Sequence, residues 1–359
     1  MISRGEMPQL RRVCVVAWGG AAVSWELATP GRLVPSLATC AAFLLLATGC
    51  ALHIRRGLLG ELRRSQEIAG AAQRALLRPL PGRIDGLTLA AAQLSASRGA
   101  AVGGDLYEAV PTGYGVRVVI GDVRGHGLPA LGAAAAVLGA FREAAYDEVS
   151  LSGVLRRMER ALGRHLRDRA RAEHPAACTG EPESPSAEEF VTVLLLEIAP
   201  DGALLALNCG HPWPYRIRTA PVPEHCAARN RGSAADPAPR SPTGLDLPRG
   251  GGGSAQRLTD VQALAGETLP PLGVVPVPVE TQPHAVGELR PGDTLFLHTD
   301  GAEDARDGAG AFFPLRSVLA EAPLTPARLV AGVHAALLRH TGGRLADDVA
   351  LLVLRNDRS

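Results

Sequence analysis

The sequence predicts an α+β protein in which antiparallel β-sheets are flanked by helices, preceded by an N-terminal two-helix transmembrane hairpin. Strand-like runs come in pairs joined by short turns, for example 190–198 and 203–208 around Pro200-Asp201-Gly202. Helical patterns lie between such pairs and do not alternate with single strands, as they would in a parallel sheet. Residues 33–54 form an apolar run without a charge before His53, which is long enough to cross a bilayer.

The composition is that of a folded chain. The protein has 359 residues, of which 46% are hydrophobic and 20% are charged, so it can bury a full-sized core. Its formal net charge of +1 gives no electrostatic reason to expect a nucleic-acid partner, because such binders concentrate positive charge on one face. The six cysteines show no CxxC spacing, which favours a reduced compartment without structural zinc.

Residues 1–54 are predicted to form the membrane hairpin, with spans at about 13–28 and 33–54. Arginines flank it on both sides, at Arg4, Arg11 and Arg12 before the first span and at Arg55, Arg56, Arg63 and Arg64 after the second. By the positive-inside rule both ends lie in the cytoplasm. We therefore expect a multi-pass protein of the cell membrane, in contact with membrane lipid, whose catalytic domain is cytoplasmic. A cleaved signal peptide is the alternative interpretation.

Residues 55–80 are predicted to be a connecting helix. Apolar residues recur there at roughly helical spacing, and Pro79 and Pro81 end the pattern. Such a helix could pair with its copy in a homodimer, but the apolar stripe is short and alanine-rich, so a dimer stays an open alternative.

Residues 81–359 are predicted to form the catalytic domain. Strands are expected at 87–93, 116–120, 190–198, 203–208, 277–286, 294–298 and 349–354, and helices at 129–146, 151–169 and 326–340. Two segments, 171–188 and 219–265, contain too little apolar surface to bury and are predicted to be flexible inserts.

Acidic residues stand at the ends of strand-like runs in four distant parts of this domain. They are found, with an adjacent glycine in three cases, in Gly104-Asp105, Gly121-Asp122, Asp300-Gly301 and Asp347-Asp348. Glycine at a strand end leaves room for oxygen ligands to converge on a hard cation. One such aspartate alone is equally consistent with a turn or helix-capping role. Four together favour a single carboxylate site.

These motifs resemble those of the PPM metal-dependent protein phosphatases, in their SpoIIE-like bacterial branch. The acidic motifs of that family are matched by GGDLYE at 103–108, GDVRGHG at 121–127, TDG at 299–301 and DDV at 347–349. NCGHP at 208–212 and PPLG at 270–273 resemble two further landmarks in the same order. The resemblance covers roughly residues 73–355. It implies two stacked antiparallel β-sheets covered by helices on both outer faces, with metals at one edge between the sheets.

The resemblance also implies the composition of the site. Asp105, Asp122, Asp300 and Asp347 would be the catalytic carboxylates that bind metal, and the backbone carbonyl of Val123 would be a further ligand. Asp348 is an alternative direct ligand, or a partner of Asp347. Hard oxygen ligands without a histidine or cysteine cluster favour two divalent cations, Mn²⁺ or Mg²⁺. Such ions activate water for attack on phosphorus, so no serine or cysteine nucleophile is required.

Three accessory residues complete the candidate site. Glu108 stands where the family commonly has a second aspartate. His126 is a candidate for protonating a leaving alkoxide, with a packing or turn role as the alternative. Arg124 is a candidate for binding phosphate, with Arg98 as the alternative. His211, in contrast, is expected to be a hydrogen-bonded turn residue and not a catalyst.

The sequence therefore predicts a membrane-tethered, metal-dependent phosphoserine/phosphothreonine protein phosphatase. The resemblance implies that its substrate is a phosphorylated cytoplasmic regulatory protein of the anti-sigma factor antagonist type, within a partner-switching pathway. One alternative is a pseudophosphatase that binds a phosphoprotein without hydrolysing it, although the intact set of aspartates argues against it. Another is a phosphoesterase that acts on small molecules.

Overall fold

The computed structural model of the chain describes residues 33–94, 103–125, 127–173, 189–220, 258–323 and 325–358. The chain divides into two compact units, residues 1–65 and residues 66–359. The predicted first membrane span, 13–28, lies outside the described residues.

Helix α1 (Leu33–Leu76) is 44 residues long and continuous. The predicted second span and the predicted connecting segment are thus parts of one helix, which ends shortly before Pro79 and Pro81, since proline cannot continue the helical hydrogen bonds. Among the described residues, no helix combines the length and the apolarity needed to cross a membrane.

The second unit contains the predicted sheets and helices. The strands are β1 (Arg83–Ile84), β2 (Leu87–Leu94), β3 (Leu106–Thr112), β4 (Gly115–Val123), β5 (Val191–Ile198), β6 (Ala203–Cys209), β7 (Tyr215–Ala220), β8 (Leu258–Ala263), β9 (Thr268–Leu269), β10 (His284–Glu288), β11 (Thr294–His298) and β12 (Val349–Asn356). The helices are α2 (Leu128–Asp147), α3 (Leu151–Glu173), α4 (Leu315–Glu321) and α5 (Pro326–His340), with a 3₁₀ turn at Asp300–Ala302.

These strands form two sheets of six strands each in the described part of the chain. Sheet A has the order β1-β2-β12-β11-β7-β8. Sheet B has the order β10-β6-β5-β4-β3, and the short strand β9 pairs in parallel with β6. All other pairings are antiparallel. The predicted fold of antiparallel sheets flanked by helices is confirmed.

Three apolar layers hold the fold together. The two sheets pack face to face through residues such as Ile120, Leu194 and Leu352. Helices α2 and α3 cover the outer face of sheet B, and the predicted stripe of α3 from Leu151 to Leu162 is buried there. Helices α4 and α5 cover the outer face of sheet A. Because strand β4 is buried on both faces, its sequence is mostly apolar and does not alternate, with Arg117 and Asp122 as the exceptions.

The predicted insert 219–265 is wrong at both ends. Residues 219–220 complete β7, and residues 258–263 form β8, which pairs with β7 along its whole length. Val261 on this strand and Leu264 directly after it are buried. The strand was not predicted because low-complexity sequence lies beside it. The first insert, 171–188, also begins too early, because α3 continues to Glu173.

The predicted strand 277–286 is largely wrong as well. Only His284–Glu288 pairs with β6. Residues 277–283 contain Pro278 and Pro283, which lack an N–H group for a sheet ladder. The amide of Val277 instead donates to the carboxylate of Glu159 on α3 (2.6 Å). Strands β1, β3, β7 and β9 and helix α4 were not predicted from the sequence.

The segment between β7 and β8 offers a test of the domain boundaries. Ala220 and Leu258, the described residues on either side of 221–257, are partners in the ladder. Replacing 221–257 with a short glycine-containing turn should leave the free energy of unfolding unchanged or raise it by about 0.6 kcal/mol per halving of loop length. Urea denaturation of residues 66–359 measures this, with Val261→Asp as the destabilised control. A clear loss of stability on shortening would show that this segment packs on the domain.

Candidate metal centre

Sheet B carries the first half of the candidate site. Asp105 directly precedes β3, and Asp122 lies near the end of β4. The pairing of Leu106 with Gly121 places the two aspartates beside each other at one edge of the sheet. The hairpin between the strands therefore joins the first two acidic motifs before any tertiary contact is made.

Glycine at position 104 is required by this arrangement. The amide of Val123 donates to the carbonyl of Gly104 (3.2 Å). A Cβ at Gly104 would lie 2.3 Å from the carbonyl oxygen of Val123 and 2.8 Å from Oδ1 of Asp122. The backbone thus approaches two of the predicted oxygen ligands more closely than any side chain allows.

Sheet A carries the second half. Asp300 follows β11 in the 3₁₀ turn, and Asp347 and Asp348 precede β12. Thr299 ties the two segments together, because its amide donates to the carbonyl of Ala350 (3.1 Å) and its Oγ1 accepts from the amide of Ala350 (2.9 Å). A Cβ at Gly301 would lie 2.1 Å from the carbonyl oxygen of Asp348, which explains the glycine after Asp300.

The two halves meet between the sheets. A Cβ at Gly103, just before Asp105, would lie 2.7 Å from the carboxylate of Asp348. The side chain of Thr299 forms a hydrogen bond that stabilises the ionised form of Asp105. The structure therefore brings Asp105, Asp122, Asp300, Asp347 and Asp348 together, as the sequence predicts.

The carboxylates of this cluster destabilise one another. Burial raises the pKa of Asp105 well above its usual value, and the charges of Asp122 and Asp348 raise it further. Burial, followed by the charges of Asp300 and Asp347, raises the pKa of Asp122 to about 7. The pKa of Asp300 is raised by burial and then by Asp347. Hydrogen bonds to the carboxylates oppose these increases.

A bound divalent cation would neutralise this excess of negative charge. Oδ2 of Asp105 is buried and has no hydrogen-bond partner, so it is a desolvated acceptor that a cation would satisfy. All the donors are hard oxygens, the type that Mg²⁺ and Mn²⁺ prefer. Within the described part of the chain, no three acidic, histidine or cysteine side chains stand in a geometry that would hold a metal ion as they are. The carboxylates are thus within electrostatic range of one another but do not form a closed coordination shell.

Glu108 does not belong to this cluster. Its carboxylate accepts two hydrogen bonds from Arg142 on α2, from Nε (2.8 Å) and Nη2 (2.5 Å). Alternation along β3 explains the outcome, because residues 106, 108 and 110 face the helices whereas Ala109 faces sheet A. Arg142 also donates to the carbonyl of Leu76 at the end of α1 (2.8 Å). The predicted accessory role of Glu108 at the metals is therefore replaced by an ion pair between the sheet and α2.

The other accessory candidates have different outcomes. The guanidinium group of Arg124 is exposed and lies 5.2 Å from the ring centroid of Phe190, close to Asp122 in sequence. His126 and Arg98 lie outside the described residues. Thr299 was not selected from the sequence, although its position directly before Asp300 was a usable signal.

Comparison with known proteins identifies the family. The family model described as Stage II sporulation protein E (SpoIIE) matches residues 112–232 and 254–357, well over half of the chain. The chain belongs to the SpoIIE family. That family is one of protein-serine/threonine phosphatases of the PPM class. Among curated proteins, no sequence is significantly similar to this chain.

Several solved structures are similar to this chain, and the first of them shares its fold. The SiaA-PP2C domain of Pseudomonas aeruginosa is 17% identical with a TM-score of 0.53, over 83% of this chain and 98% of that domain. The RsbU and RsbW domains of Rv1364c from Mycobacterium tuberculosis are 21% identical with a TM-score of 0.49, over 76% of this chain and 61% of theirs. The phosphatase domain and regulatory fragment of SpoIIE from Bacillus subtilis are 14% identical with a TM-score of 0.47, over 76% and 62%. The chain thus spans less than two thirds of the last two.

Proposed function

We propose that this SpoIIE-family member hydrolyses phosphoserine and phosphothreonine with two divalent cations, Mn²⁺ or Mg²⁺, held between its two sheets. The observation that carries the proposal is the convergence of five aspartates from both sheets, three of which have pKa values raised by burial and by one another's charges. Divalent cations at such a site lower the pKa of water and neutralise the phosphoryl oxygens.

The residues have separate tasks in this proposal. Asp105, Asp122 and the carbonyl of Val123 present oxygens from sheet B, and Asp300 with Asp347 or Asp348 presents them from sheet A. The desolvated Oδ2 of Asp105 is the acceptor most in need of a cation. A cysteine nucleophile is not available at Cys209, because burial raises the pKa of its thiol to about 12.

The first test is hydrolysis of para-nitrophenyl phosphate by the full chain with and without added Mn²⁺ or Mg²⁺. We expect activity only with the metal, and its loss in the presence of a chelator. Binding of a phosphoprotein without turnover at saturating metal would favour the pseudophosphatase.

The proposal includes a membrane anchor formed by spans at 13–28 and 33–54, with the catalytic unit in the cytoplasm. Its support is the apolar sequence, the flanking arginines and the exposure of Leu44, Leu45 and Leu46 on α1, at 69%, 75% and 56%. Single leucines are often exposed, but three in succession on a helix favour an apolar surrounding such as lipid. Sedimentation of the full chain with membranes, and its release on removal of residues 1–54, tests the anchor.

The proposed substrate is a phosphorylated regulatory protein of the anti-sigma factor antagonist type, as the family implies. Metal ions recognise only the phosphate group, so selectivity must come from the surface around the site. The first turn of α2 after Pro129 and the loop 301–313 border the acidic motifs and are the candidate contacts.

Protein-level recognition makes a measurable prediction. A folded phosphorylated antagonist should be dephosphorylated with a higher kcat/KM than a short peptide carrying the same phosphoserine sequence, because only the folded protein contacts the surrounding surface. Para-nitrophenyl phosphate serves as the control for chemistry alone. Equal kcat/KM on protein and peptide would favour the general phosphoesterase.

A further inference from the structure

His211 occupies a fixed position between the two sheets. It lies in the turn after β6, where the side chain of Asn208 binds both polar groups of the His211 backbone. Nδ2 of Asn208 donates to the carbonyl of His211, and Oδ1 of Asn208 accepts from the amide of His211, each at 2.8 Å. The residue is only 4% exposed. Its position is therefore set by the turn, and its ring has little freedom to move.

One nitrogen of the ring contacts sheet B. Nδ1 of His211 lies 3.1 Å from Oγ1 of Thr192 on β5. Thr192 is the direct partner of Asp122 in the β4–β5 ladder. This side of the ring is thus one strand away from the acidic motif of sheet B.

The other nitrogen contacts sheet A. Nε2 of His211 lies 3.1 Å from the backbone carbonyl oxygen of His298, the last residue of β11. Thr299 and Asp300 follow directly in the chain. This side of the ring therefore contacts the segment that carries the acidic motif of sheet A.

The two contacts determine where the protons lie. A carbonyl oxygen only accepts hydrogen bonds, so Nε2 must carry the proton and donate to His298. Burial, with a smaller effect of His298, lowers the pKa of His211 to about 3, so the ring is neutral and Nδ1 accepts the hydrogen bond of the Thr192 hydroxyl. A rigid ring that uses both nitrogens fixes the separation between Thr192 and His298.

We propose that His211 is a positioning residue that sets the spacing between the two halves of the metal site. The inference rests on the proposed function. When ionised, the aspartates on the two sheet edges carry like charges, which push those edges apart. The contacts of Gly103 with Asp348 and of Thr299 with Asp105 involve carboxylates. The His211 bridge uses none and does not depend on bound metal.

Thr192 gives the sharpest test, because two small substitutions separate the hydrogen bond from the shape of the side chain. Thr192→Val keeps the branched shape but removes the donor to His211, and Thr192→Ser keeps the donor. Replacing a residue that orients metal ligands typically costs about 10- to 100-fold in metal affinity. We expect the Mn²⁺ dissociation constant of the full chain to rise about tenfold in Thr192→Val, at the low end of that range. It should stay close to wild type in Thr192→Ser.

His211→Asn extends the test, since asparagine is too short to reach both partners. Its Mn²⁺ dissociation constant, measured by electron paramagnetic resonance of free Mn²⁺, should rise by about 10- to 100-fold, while kcat at saturating Mn²⁺ stays near wild type. The matched control is His284→Asn, which changes a partly exposed histidine paired with Glu267.

Three results would overturn the proposal: unchanged Mn²⁺ affinity in Thr192→Val, equal losses in Thr192→Val and Thr192→Ser, or a fall in kcat without a change in Mn²⁺ affinity. If His211→Asn does not fold, by circular dichroism, the Thr192 pair decides alone. If the wild-type chain binds no Mn²⁺, the proposed function itself fails and the positioning role fails with it.

Discussion

Replacing Asp300 with asparagine is expected to abolish metal-dependent hydrolysis while leaving the fold intact. Asp300 is the acidic residue that β11 and the 3₁₀ turn contribute from sheet A, and it lies within electrostatic range of Asp122 and Asp347. An amide binds divalent cations more weakly than a carboxylate does. Because bound metal contributes several kcal/mol to catalysis, the loss of kcat/KM should reach about a thousandfold.

The same variant should not be less stable without metal. Burial and Asp347 raise the pKa of Asp300 in the folded protein, so its ionised form opposes folding above the usual carboxyl pKa. A neutral asparagine removes that cost. The measurements are turnover of para-nitrophenyl phosphate across a Mn²⁺ titration and thermal unfolding with chelator present. Asp260→Asn, the same change at an exposed position of β8, is the control. Full turnover by Asp300→Asn at saturating Mn²⁺ would exclude Asp300 from the metal site.

The local sequence pattern was sufficient to predict most of the helices and strands. The predicted bounds of β11 and of the helix at 326–340 agree with the structure to the residue, because each is a short apolar pattern between clear turn signals. Strand β8 was missed because its partner β7 lies on the far side of a long insert, so its pairing depends on a contact that local sequence does not encode. The segment 277–286 shows the opposite error, since its valines favour a strand that its prolines prevent.

In the candidate site, too, the features that local sequence determines were predicted and those that depend on tertiary structure were not. Glycine beside a terminal aspartate is a local signal, and the close approaches at Gly104 and Gly301 give its physical reason. Glu108 was placed near the metals because it stands where the family commonly has a second aspartate. Strand β3 was not predicted, so nothing in the sequence indicated that the Glu108 side chain lies on the helix-covered face of sheet B. The contacts of His211 with Thr192 and His298 depend on how the two sheets stack. No spacing in the sequence predicts them.

Arg117 is the clearest case of a residue whose environment only the tertiary structure reveals. It lies in the middle of β4 and is fully buried. Its guanidinium group pairs with Glu197, its partner on β5, with Nη2 2.7 Å from Oε2. It also donates to the carbonyls of Ala145 (2.9 Å), Glu148 (2.5 Å) and Val149 (2.9 Å) at the end of α2. One side chain therefore joins sheet B to the turn between α2 and α3.

Replacing Arg117 with methionine should destabilise residues 66–359 by about 3–5 kcal/mol, because it leaves Glu197 without its cation and three carbonyl groups without a donor. Arg117→Lys should recover only part of this loss, since an ammonium group cannot reproduce the planar set of donors. Urea denaturation measures the free energy of unfolding of both variants, with one m-value fitted to all the proteins compared. Arg355→Met is the matched control on β12, where the ion pair with Asp357 is one-third exposed at the arginine and such pairs contribute at most about 1 kcal/mol. A loss in Arg117→Met no larger than that of the control would show that sheet B and helix α2 do not depend on this network.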